Sequence, residues 1–133
     1  MGHLLHLPDV PETAIPAGRW QPLNEPLGIR AFGVNAVAME PGEAADIEHE
    51  ESGSGHQEVY VVVSGRAGFR LGDEEVEAGP GDIVALDDPA ETRDYWAIDP
   101  GTRIVCFGAA PGAAYAYGEW IAEEAEASQG PTA

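Results

Sequence analysis

Turn chemistry constrains this chain more than any other feature. Turn signals recur at Glu40-Pro41-Gly42, Ser52-Gly53-Ser54-Gly55, Ser64-Gly65, Leu71-Gly72-Asp73, Gly79-Pro80-Gly81, Asp88-Pro89 and Asp99-Pro100-Gly101. Between them lie short runs rich in Val, Ile, Tyr and Phe. Pro lacks an N–H and Gly adopts backbone conformations other residues avoid, so this punctuation leaves little room for helices of ordinary length. Short apolar runs separated by turn residues read as an all-β sandwich or barrel. Strands are expected at Ile29–Met39, Ala45–His49, Glu58–Ser64, Gly68–Leu71, Glu74–Glu77, Asp82–Leu86, Thr92–Ile98 and Thr102–Phe107. Glu58–Ser64 is apolar on both alternating faces, as for a strand covered on both sides. Gly72-Asp73 is the expected turn of a hairpin. One helix is expected, at Glu119–Ala127.

At 133 residues the chain is long enough for one hydrophobic core. The expected division is an extended N-terminal arm (1–19), a barrel (20–110) and a C-terminal segment (111–133) holding the short helix.

Charge narrows the function. With 24 Asp+Glu against 6 Lys+Arg the net charge is −18. Such a surface repels phosphate backbones and anionic bilayers, so neither nucleic acid nor membrane is an expected partner. The acid surplus reads as a solubility device, with adaptation to a salty cytoplasm as the alternative. All six basic residues are Arg, which excludes lysine Schiff-base chemistry and a Walker-type phosphate loop. Cys106 is the one cysteine, so an intrachain disulfide or a cysteine-rich metal site is excluded, and the residue reads as an inert buried thiol. No apolar run has the length of a membrane span and no signal-peptide pattern is present; a cytoplasmic location is expected.

The stretch Pro41–Gly65 (PGEAADIEHEESGSGHQEVYVVVSG) carries the chemistry. In extended chain, residues i and i+2 share a face. His49 and Glu51 therefore form one set, and His56, Glu58 and Tyr60 another. A reversal at Ser52–Gly55 would let the two sets meet inside a barrel. Imidazole nitrogen with carboxylate oxygen suits a first-row divalent metal such as Fe, Mn, Ni or Zn. The bland alternative leaves His49 and Glu51 as solvated loop residues and His56 as a strand-end residue. Glu58 opens an apolar strand, where a carboxylate needs a partner. Tyr60 and Tyr95 read as core or pocket-wall aromatics, and Asn35 as a cavity-lining or hydrogen-bonded structural residue.

This stretch resembles the first motif of the cupins, G-x5-H-x-H-x3,4-E-x6-G. Glu58-x6-Gly65 matches its second half, and Gly79-Pro80-Gly81-Asp82-Ile83-Val84 resembles the turn that starts the second motif. The two regions span roughly 41–97. The resemblance implies a double-stranded β-helix (jelly-roll barrel) and, because many small cupins pair, a homodimer. The metal ligands depart from the family pattern. Glu48 and Glu50 stand where its two histidines fall, with His49 between them, and Thr92 stands where the second motif has its histidine. Arg93 follows it. Pointing inward, Arg93 would pair with Glu58 or Glu51 by bidentate bonds and leave a metal-free pocket whose anchoring charge suits a small carboxylate or phosphate ligand; pointing outward, it would leave the acids free for metal.

Two functions follow. One is a small-molecule-binding cupin with a ligand site of Glu58, Tyr60, Arg93, Tyr95 and Asn35. The other is a metal-dependent oxygenase or isomerase of a small organic acid, with His49, Glu51, His56 and Glu58 as ligands.

Overall fold

Alternating burial along short strands builds two facing sheets around one apolar interior. The computed structural model describes residues 2–15, 18–43 and 53–115. These hold nine strands: β1 Thr13–Ile15, β2 Gly18–Pro22, β3 Gly33–Met39, β4 Gln57–Ser64, β5 Ala67–Leu71, β6 Glu74–Ala78, β7 Ile83–Leu86, β8 Arg93–Ala97 and β9 Thr102–Ala109. One sheet has the order β1-β2-β3-β9-β4-β7 and the other β6-β5-β8, and every pairing is antiparallel. The inner faces meet in a cluster that includes Trp20, Val37, Met39, Tyr60, Val62, Phe69, Tyr95 and Ile104. This is the expected all-β jelly roll. Among the described residues no helix is long and apolar enough to cross a membrane.

The strand readings hold with local corrections. The expected strand at Ile29 starts at Gly33 instead, because residues 29–32 wrap around a buried amide. Asn24 Nδ2 donates to the carbonyls of Ile29 (2.8 Å) and Phe32 (2.7 Å), and its Oδ1 accepts from Val34 N–H (3.0 Å). Asn24 also opens a one-turn helix, α1 (Asn24–Leu27), which four residues containing Pro26 gave no periodicity to reveal. It ends at Gly28, whose φ of 68° is the left-handed conformation suited to a helix C-terminus. The N-terminal stretch, expected as an extended arm, contains a 3-10 turn at Leu7–Asp9, and β1 and β2 belong to the six-stranded sheet rather than trailing from it.

The strand covered on both faces is β3, not β4. All seven residues of β3 are buried. Val34 and Ala36 on its outer side pack with Leu5, Leu7, Val10, Leu23 and Leu27, so the N-terminal segment and α1 seal that part of the sheet. Gln21 ties the seal down, its Nε2 donating to the carbonyls of Leu7 (2.7 Å) and Val10 (3.0 Å). The seal does not reach β4, whose outer Val59 and Val63 remain exposed.

The Gly72-Asp73 turn is as expected: Leu71 pairs with Glu74, and Gly72 has φ 61°. The expected strand Ala45–His49 and helix Glu119–Ala127 lie outside the described residues.

Candidate functional site

The period of two along β4 turns Glu58, Tyr60 and Val62 inward, and their neighbours Val59 and Val63 outward. His56, just before the strand, has the same parity and is buried, with its ring 5.7 Å from that of Tyr115. On the facing sheet Leu71 pairs with Arg93 and Phe69 with Tyr95. Phe69 and Tyr95 lie in the core, which fixes the same inward parity for Arg93. Arg93 points inward.

Its side chain is only 1% exposed, against 4% for Glu58. Nη1 of Arg93 donates to Glu58 Oε1 at 2.6 Å. This is a single contact rather than the bidentate pair expected. The rest of the guanidinium gathers its own preceding loop. Nε donates to Glu91 O (3.2 Å), and Nη2 faces the carbonyls of Asp88 (3.0 Å), Pro89 (3.3 Å) and Glu91 (3.0 Å). Arg93 therefore latches the loop before β8 to β4 across the barrel.

Glu58 collects further donors. Tyr60 Oη donates to Oε1 at 2.9 Å, and the Cys106 thiol lies 3.6 Å from Oε2. Burial pushes the Tyr60 phenol well above its ordinary range, with Cys106 and Glu58 adding to the shift. The phenol thus stays a donor to Glu58 through neutral pH. Tyr60, Phe69 and Tyr95 form an aromatic triangle, with centroids 5.6, 5.6 and 6.1 Å apart, that fills the barrel beneath the polar cluster.

A raised tyrosine pKa makes stability fall at alkaline pH. The unfolded chain loses this proton near pH 10.0 and the folded chain only above it. The contribution is complete below that value and is lost as pH climbs through the folded value. Tyr60→Phe is expected to flatten the decline of the urea midpoint above pH 10 relative to wild type. Parallel alkaline slopes for the two proteins would refute this assignment.

The structure brings together Glu58, Tyr60 and Arg93, with Tyr95 beside Tyr60. Asn35 takes an inward position on β3, opposite Cys106 of β9. His49 and Glu51 lie outside the described residues. Sequence reading missed Cys106 as a partner of Glu58, although the alternation Thr102, Ile104, Cys106 places it on the same inner face. Among the described residues, no group of three or more His, Cys, Asp or Glu could hold a metal ion. A dication does not fit at Glu58 as its side chain stands, because the Arg93 guanidinium already occupies Oε1 and would repel it.

No family model matches the sequence, and no curated protein does. The folded chain is similar to many solved structures. KdgF from Halomonas sp. aligns with a TM-score of 0.67 at 16% identity, over 81% of this chain and 93% of that one. A predicted oxalate decarboxylase from Thermotoga maritima aligns at 0.65 and 14% identity, over 81% and 99%. A protein described as a sugar phosphate isomerase from a cupin superfamily, from Silicibacter pomeroyi, aligns at 0.61 and 21% identity, over 80% and 75%. The fold is that of the cupins. At these identities the likeness carries the fold and none of the activities. Glu58-x6-Gly65 spans β4 and the turn after it, and Gly79-Pro80-Gly81-Asp82 leads into β7.

Proposed function

We propose that this cupin binds a small organic molecule inside the barrel without a metal, at the polar cluster around Glu58, Tyr60, Arg93, Tyr95 and Asn35. The observation that supports this reading is the buried 2.6 Å contact between Arg93 and Glu58. The carboxylate that matches the family's metal-binding glutamate already has a protein cation as counter-charge. A closely held pair of this kind resists replacement by a dication, since uncovering either charge in the core is costly. The cluster also has the makeup of a binding site, with a few convergent polar groups above an aromatic floor.

The test is elemental analysis of protein purified without chelator or affinity metal, before and after incubation with Mn, Fe, Ni and Zn salts. No stoichiometric metal is expected in either sample. Metal bound at one equivalent, and lost in both Glu58→Gln and His49→Ala, would overturn the proposal in favour of a metal-dependent enzyme. Thermal melts against a panel of small organic acids, polyols and sugars give the positive arm. A ligand specific to the native state stabilises it by about 2.7 kcal/mol at a hundredfold excess over Kd.

A further inference from the structure

Two polar groups stand out on the inner wall of the six-stranded sheet. Trp20 Nε1 is buried and makes no hydrogen bond. Asn35 is 4% exposed, so its inward amide is nearly buried yet still reached by solvent. Both are on the inner face, Trp20 opposite Val37 and Asn35 two residues along from Val37. Asn35 pairs across β9 with Cys106, which pairs in turn with Tyr60. The adjacent inner row is Gly33, Gly108 and Glu58, so it carries no side chain until Glu58 is reached. Buried polar groups are nearly always satisfied, so the Trp20 N–H on the inner wall asks for an acceptor that the chain itself does not supply.

The donors and acceptors define that partner. An indole N–H only donates, so it requires an oxygen acceptor. A carboxamide both donates and accepts, which fits two adjacent hydroxyls or a hydroxyl beside a carbonyl. The buried cation of the cluster, Arg93, is committed to Glu58 and to three loop carbonyls. A ligand anion would enter against Glu58 and against a net charge of −18.

We infer that Trp20 Nε1 and the Asn35 amide are the specificity-determining contacts for an uncharged, hydroxyl-rich ligand, such as a free polyol or sugar, within the barrel. The inference rests on the barrel-binding reading above and deepens it.

The experiment compares D-xylose, D-glucose and glycerol with xylose 5-phosphate, glucose 6-phosphate and glycerol 3-phosphate. Thermal melts report binding, and the Asn35 and Trp20 variants report where binding occurs, since both side chains lie on the inner wall. At least one uncharged compound is expected to raise Tm, with its phosphate binding more weakly. Asn35→Leu is expected to keep the ligand-free Tm at or above that of wild type, because no hydrogen bond within the fold is lost with the amide. The same variant should weaken binding about 10-fold, as should Trp20→Phe, which also lowers the ligand-free Tm because the smaller ring leaves a cavity in the core. A ligand-free Tm lowered by Asn35→Leu would give the amide a structural role and overturn the inference. So would wild-type affinity in both variants. Preference for the phosphates overturns the inference and leaves the barrel-binding reading standing, whereas silence from both sets removes both.

Discussion

Arg93→Met is expected to cost about 3–5 kcal/mol, because it leaves the Glu58 carboxylate buried without its counter-charge. Domains of this size have about 5–15 kcal/mol of stability in total, so the variant should sit near the edge of unfolding. The urea midpoint followed by tryptophan fluorescence measures the loss. Glu58→Met in the same background removes the stranded charge and should restore part of it, since an apolar pair of similar volume is often no worse than a buried ion pair. Restoration should stop short of wild type. The carbonyls of Asp88, Pro89 and Glu91 lose their donor in both variants, and the double variant also leaves the Tyr60 hydroxyl without its acceptor, so the shortfall is the sum of the two. Equal losses in the single and double variants would show that the ion pair contributes nothing of its own.

Gly65→Ala has the second large effect, for a different physical reason. Gly65 turns the chain from β4 into β5 with φ 71°, where a side chain costs about 1–2 kcal/mol. A Cβ there would also collide with Oγ1 of Thr102 and come within 2.5 Å of its Cα. Thr102 is fully buried; its Oγ1 accepts from Arg66 N–H (3.2 Å), and its one proton is shared between the carbonyls of Asp99 (2.7 Å) and Arg66 (3.0 Å). Nothing there can give way without breaking the knot that joins the two turns. Overpacking adds about 1–3 kcal/mol, for an expected total of about 2–5 kcal/mol. Gly81→Ala is the control: its φ is 91°, yet nothing lies within 4 Å of the added carbon. Equal midpoints for the two variants would refute the steric account.

What the sequence could and could not disclose follows from how each feature is encoded. Gln57–Ser64 and Thr102–Ala109 are long, alternating strands, and alternation is a signal written within the segment. Gly65 and Gly72 were legible because their positive φ demands glycine at a turn. β1 has three residues and α1 has four, too few to show any period. The inward turn of Arg93 depended on its register against β5, which one residue of slip would reverse. The Cys106–Glu58 contact and the place of Asn35 beside Cys106 and Tyr60 are facts about three strands at once, so no single segment states them.

The position of β9 has a consequence for the order of events during synthesis. It is the last of the described strands to be made, yet it lies in mid-sheet between β3 and β4. Until residue 109 has left the ribosome, β3 and β4 each wait with an open, apolar edge. Pairings this distant in sequence form slowly, and waiting edges are templates for association with other chains. Twenty of the 24 acidic residues precede residue 109 and already act on the nascent chain, since like-charged chains repel before either has folded.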